Sequence, residues 1–247
     1  MLQSEDTEFL TKNAQMPASN SPMKYEEAMN RLRALANPDA VAGMARFGIN
    51  PEKTYGVATP HLRRIAKEAG RDRTLAQQLW SSEVHEARIL ASMVDEPRTV
   101  TEEQMEGWAK EFDSWDVCDQ CCMNLFEKTP LAYRKAVEWS AREEEFVKRA
   151  GFVLMARLAV SDKKADDKAF EDFLSLIVGE SGDGRNFVRK AVNWALRQIG
   201  KRNNALNAKA VETARAIRRM DSKSARWIAT DAVRELTSEA VQNRLRG

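Results

Sequence analysis

Cysteine, histidine, glycine and proline are all scarce in this 247-residue chain, at three, two, eleven and seven residues. The three cysteines, Cys118, Cys121 and Cys122, fall in one short segment. An odd number so placed excludes a disulfide framework and points to a reducing compartment. No second cysteine pair accompanies His61 and His85, so zinc-ligand spacing is missing and the thiols read as buried apolar groups. Neither a Walker loop nor a dinucleotide fingerprint is present, and no Ser/His/Asp or Cys/His arrangement stands out. No apolar run approaches the ~20 residues needed to span a bilayer. Residues 1–22 lack a basic n-region and an apolar h-region, and their Ser, Asn, Thr and Gln content reads as a disordered tail ahead of a single domain over 23–247. No metal, cofactor or membrane partner is expected. The expected location is cytoplasmic, and nucleoid-associated in a prokaryote.

Charge is plentiful, at 31% of residues, and its balance is uneven. The net charge is +2, yet residues 184–247 hold 15 Lys/Arg against 5 Asp/Glu, while residues 1–183 hold 24 against 32. A basic C-terminal quarter is what a phosphate-binding surface needs. A solvated helical face with counter-charges elsewhere in the fold would give the same count.

Ala, Leu, Arg, Lys and Glu are common and alternating β-branched runs are absent, so the chain is expected to be all-α. Helices are predicted over Tyr25–Ala36, Thr59–Ala69, Thr74–Trp80 and Val84–Val94. More follow from Thr101 to Phe112, over Ser114–Glu127, from Thr129-Pro130 to Arg142, and over Glu144–Leu158 and Lys164–Val178. Asn186–Ile199 is expected to end on Gly200 as a C-cap. Asn203–Met220, Ser222–Leu236 and Ser238–Leu245 complete the set. Thr59-Pro60 reads as a cap followed by proline, and Thr101-Glu102-Glu103-Gln104 as a capping box. Most helices fall into pairs with a period of roughly 35–45 residues, the pattern of a HEAT-like solenoid with a concave basic groove.

The segment Ser114-Trp115-Asp116-Val117-Cys118-Asp119 sets an indole and a carboxylate four residues apart, on one helical face. Together with Arg149 and Trp194 it makes a candidate constellation. One carboxylate among aromatics suits stabilisation of a cationic transition state better than a two-carboxylate glycosidase mechanism. Arg197 lies one turn beyond Trp194, and Lys201 one turn beyond that, as a phosphate-contact stripe would.

These residues resemble the DNA alkylation repair glycosylases of the AlkD type, built from HEAT-like repeats, from about Tyr25 to Leu245. The segments Gly56–Lys67 and His85–Ala91 are similar to the family's early helices. Trp115 to Asp119 aligns with its tryptophan-to-aspartate motif, Arg149 with its active-site arginine, and Arg189–Arg197 with the helix carrying its second tryptophan, here Trp194. Asn186 stands where the family often has a further aromatic before Phe187.

The resemblance implies a monofunctional glycosylase acting on 3-methyladenine and 7-methylguanine in double-stranded DNA, in base excision repair; a monomer is expected because a solenoid needs no partner to close a site. It makes Asp119, Trp115, Trp194 and Arg149 catalytic. Lys148, Phe187, Arg189, Arg197 and Lys201 are expected to touch DNA. The competing reading is a non-catalytic HEAT-like scaffold for DNA structures or a protein partner.

Overall fold

The computed structural model describes residues 22–246, and among them it holds fourteen α-helices, three short 3-10 turns and no strand. The tail expected over residues 1–22 lies, but for Pro22, outside the described residues. The helices are α1 (Tyr25–Ala34), α2 (Pro38–Ala45), α3 (Thr59–Ala69), α4 (Arg73–Ser81), α5 (His85–Val94), α6 (Glu102–Lys110) and α7 (Trp115–Asn124). The second half holds α8 (Ala132–Ser140), α9 (Glu145–Ser161), α10 (Asp167–Glu180), α11 (Asn186–Gly200), α12 (Asn204–Ile217), α13 (Lys223–Leu236) and α14 (Glu239–Arg246). No described helix is long and apolar enough to cross a membrane.

The helices form two layers, the solenoid arrangement predicted from their pairing. In one layer α3, α5, α7, α9, α11 and α13 touch in succession. Behind them, α1 packs on α4, α4 on α5, α8 on α9, α10 on α11 and α12, and α12 on α13. A continuous apolar core runs between the layers from Met23 to Leu236. The centre of this array is α9. It is buried nearly all round, from Val147 to Ala159, between α7, α8 and α11. Two tryptophans stack in the N-terminal half, Trp80 on Trp108 with ring centroids 4.0 Å apart. In the outer layer the buried Lys135 ammonium of α8 reaches Glu102 (2.7 Å) and Glu106 (2.8 Å), tying α8 to α6.

Several local expectations are corrected. Helix α2 was not anticipated. Asn37-Pro38 starts it as a cap-proline pair, with Asn37 Oδ1 accepting from the Ala40 N–H at 3.2 Å. Thr59 lies inside α3, whose N-cap is Ala58. Thr101 does cap α6, but Gln104 does not return the bond. Its amide donates to Asp95 instead, at 2.5 Å, so the box stays half closed. Helix α7 stops at Asn124 and is followed by a 3-10 turn at Phe126–Lys128, and Thr129-Pro130 forms a turn before α8. Gly200 is helical rather than a C-cap. It is there for space, because a Cβ would stand 2.7 Å from Leu236 Cδ1 and 2.9 Å from Ala210 Cβ. The three cysteines are buried, as expected.

One connection bears on the site. After α2 and a 3-10 turn at Pro51–Lys53, the chain returns to α3 across the N-terminus of α5. The buried Glu86 carboxylate of α5 holds it there by accepting from the N–H groups of Tyr55 (2.9 Å), Gly56 (2.6 Å) and Val57 (3.1 Å). Gly56 takes φ +76°, where a side chain is strained. The tip of this arm reaches α11, since a Cβ on Gly48 would meet the Phe187 ring at 3.7 Å.

Helical glycines separate packing from propensity. A Cβ on Gly151 would lie 2.5 Å from Ser140 N, in the backbone of α8, whereas one on Gly107 in α6 meets nothing. Gly151→Ala is expected to lose about 1–3 kcal/mol from forcing α8 and α9 apart, despite the gain in helix propensity. Gly107→Ala gains ~0.5–1 kcal/mol. Urea unfolding of both variants checks the opposite signs.

Candidate functional site

The N-terminal ends of α7, α9 and α11 meet at the candidate site. Ser114 caps α7, its Oγ accepting from the Val117 N–H, and so fixes Trp115 as the first helical residue. Asp119 follows one turn later on the same face. Opposite it, Arg149 projects from the second turn of α9. The two make a bidentate pair: Arg149 Nε donates to Asp119 Oδ1 and Nη2 to Oδ2, each at 2.8 Å. Arg149 Nη1 donates to the Phe187 carbonyl of α11 at 2.7 Å. One guanidinium thus joins three inner helices.

Both partners are withdrawn from solvent, Asp119 at 9% and Arg149 at 6% exposure. Burial pushes the Asp119 carboxyl above its ordinary value, while the Arg149 charge pulls it back and the nearby Asp116 adds to the rise. The indole of Trp115, half exposed to the site, lies under the guanidinium, with Arg149 Cζ 5.9 Å from the ring centroid. This is a fixed carboxylate with an aromatic wall. Both its oxygens are bonded to Arg149, so it is held in one place and suits stabilising a developing cation.

The other expected site residues are distributed differently. Phe187 sits at the mouth, its ring 5.5 Å from Phe146 of α9. Trp194 lies two turns further along α11, half buried against the core, with no ring contact to Trp115. Lys148 turns away from the site, is buried, and reaches Glu180 at 2.5 Å. Arg197 pairs with Glu235, and Lys201 donates to the same carboxylate at 2.6 Å. The stripe read from Arg197 and Lys201 is therefore an ion-paired seam between α11 and α13. Arg189 lies over the Trp227 ring, 5.2 Å from its centroid. An ion pair of Arg149 with Glu144 or Glu145, close by in the chain, does not form; Glu144 binds Arg142 instead.

Sequence reasoning missed a second pair at this edge. His85, the first residue of α5, is buried, and its Nε2 stands 3.1 Å from Asp116 Oδ2. The signal was present in the two family-like segments but links positions 31 residues apart. Among the described residues no group of three His, Cys, Asp or Glu gathers as a metal site would require. Burial pushes the Cys121 and Cys122 thiols well up, and the Cys118 Sγ donates to the Phe146 carbonyl at 3.4 Å.

Known proteins place this architecture. A solved structure described as a new family of proteins related to the HEAT-like repeat DNA glycosylases, with affinity for branched DNA structures, superposes with TM-score 0.77. It is 20% identical, and the match covers 90% of this chain and 96% of that one. At that identity the likeness establishes the fold, a HEAT-like repeat array. An engineered protein (TM-score 0.38, 14% identity, 86% of this chain and 91% of that one) resembles it far less. The same holds for a designed armadillo repeat protein in complex with a (KR)4 peptide (TM-score 0.33, 14% identity, 85% and 96%). No curated protein matches in sequence. The family described as DNA alkylation repair enzyme matches residues 28–236. The chain belongs to the DNA alkylation repair enzyme family.

Proposed function

We propose that this protein is a DNA glycosylase that hydrolyses the N-glycosidic bond of cationic N3- and N7-alkylated purines in duplex DNA. The observation that carries the reading is the buried carboxylate of Asp119, clamped on both oxygens by Arg149 beside the Trp115 ring. In 3-methyladenine and 7-methylguanine the base already bears a positive charge. As its bond to C1′ breaks, the bonding electrons neutralise the base and the positive charge moves to the sugar. Asp119 faces that cation as a preorganised anion, Trp115 adds a π-face worth ~0.5–2 kcal/mol, and water adds to C1′ with loss of a proton. Arg149 works here by holding Asp119. Trp194 lies further along α11 and would pack on the sugar-phosphate chain.

A second reading has its own support. The structural neighbour with the same fold is described as having affinity for branched DNA, and a carboxylate engaged on both oxygens also suits a structural pair. On that reading the chain binds DNA and releases no base.

Duplex DNA holding one 7-methylguanine separates the two. The wild type is expected to release free base above the no-enzyme control, and Asp119→Asn to lose at least ~100-fold, the scale of removing a preorganised electrostatic partner. Release by neither, with DNA still bound, selects the scaffold. Because burial raises the Asp119 carboxyl, the acid limb of the rate should lie at higher pH than an ordinary aspartate sets: protonation below that limb removes the anion. Folding must be checked alongside. Asp119→Ala leaves a buried guanidinium without its partner and should cost about 3–5 kcal/mol in urea unfolding. Asp119→Asn keeps an acceptor and should cost less.

Salt dependence tests where DNA is held. Arg197 is already neutralised by Glu235, so Arg197→Ala should leave the log–log slope of binding against salt unchanged. Lys190 is exposed and forms no ion pair among the described residues. Lys190→Ala should flatten the slope by ~0.9, one phosphate contact.

A further inference from the structure

Helices α11 and α13 are joined by three rungs, each linking residues 38 positions apart. Asn193 Nδ2 donates to Asp231 at 2.7 Å, and Arg197 pairs with Glu235. The rung nearest the candidate site has no acid. There Arg189 lies over the ring of Trp227, and its one side-chain hydrogen bond among the described residues goes to Asn186 Oδ1 at 3.2 Å. Trp227 remains 39% exposed, on the outermost inner-layer helix. Two rungs are closed by polar or ionic pairing, and the third presents an indole backed by a cation.

The charge around this rung is also uncompensated. Lys190 and Lys223 are exposed, as are Arg218 and Arg219 in the loop before α13, and none of these four has an ion-pair partner among the described residues. That loop is tied to the C-terminal end of α10 by a bond from Ser181 Oγ to Met220 Sδ at 3.3 Å. Lys190 adjoins Arg189 on α11 and Lys223 lies one turn before Trp227 on α13, so these cations flank the indole.

We infer that Trp227 and Arg189 form a stacking platform for an unpaired nucleobase of DNA bound across the candidate site. The inference rests on reading the inner layer as a DNA surface, and adds a contact to it. An indole backed by a guanidinium offers one free π-face, which any base fits. The surrounding unpaired cations track a phosphate chain. In a duplex both faces of a base are covered by its neighbours, so the platform engages only where pairing ends. The separation also follows. From α7 to α13 there are three helix-to-helix steps of ~8–10 Å, hence roughly 24–30 Å. At ~3.4 Å per nucleotide along a strand, that is about eight nucleotides from the residue facing Asp119.

Fluorescence anisotropy of the full chain tests this on lesion-free DNA, so that no turnover intervenes. The probes are a blunt duplex and the same duplex ending in a single-stranded overhang, of either polarity, that begins about eight nucleotides from its centre. The wild type is expected to bind one overhang polarity about tenfold or more tightly than the blunt duplex. Trp227→Ala should lose that preference while Trp227→Phe keeps most of it. Equal overhang affinity in wild type and Trp227→Ala would overturn the platform. So would a loss of the same size on blunt and overhang DNA, which marks an ordinary contact. The readout is binding alone, so it stands whether or not the protein releases 7-methylguanine.

Discussion

A single guanidinium holds the working edge of this molecule together. Arg149 reaches a carboxylate on α7 and a carbonyl on α11 from its own place on α9. Taking both charges out of water is costly, and their mutual attraction offsets that cost only because the geometry is bidentate. Such a pair gives position more than stability. It sets the distance between three helices whose other contacts are mostly apolar. Trp115, Phe146 and Phe187 inherit their places from it.

The inner layer has a gradient of chemistry along its length. At α5 and α7 the contacts are His85 with Asp116, and the arm of α2 secured by Glu86. At α7 to α11 they are the buried pair and its aromatics. At α11 and α13 they become a ladder of polar pairs that opens at its last rung. A solenoid permits this, because each repeat contacts only its neighbours and can change its surface without disturbing the rest.

What the sequence revealed of this depends on distance along the chain. The Trp115–Asp119 relation was legible because four residues is one helical turn. The burial of Cys118, Cys121 and Cys122 was legible from their type and company. Helix α2 carried a start signal in Asn37-Pro38, but a short, Gly-containing helix with no buried side chain shows little apolar periodicity. Gly200 resembled a cap because chain position alone does not show that Leu236 and Ala210 press against it. The roles of Arg197 and Lys201 were hidden for the same reason. Helical spacing put them on one face, yet their partner Glu235 lies 38 and 34 residues away. Partners across helices are set by tertiary register, which a single chain read linearly does not contain.

The three thiols on α7 have a bearing on the company this family keeps. Thiolates are among the most reactive groups toward electrophiles, and only the deprotonated form attacks. The helix that carries Asp119 buries all three sulfurs, and burial holds the Cys121 and Cys122 thiols protonated. A protein of alkylation repair shares its solution with the methylating agents that damage DNA. This arrangement lets its most nucleophilic side chains sit beside the site while the reagents pass them by.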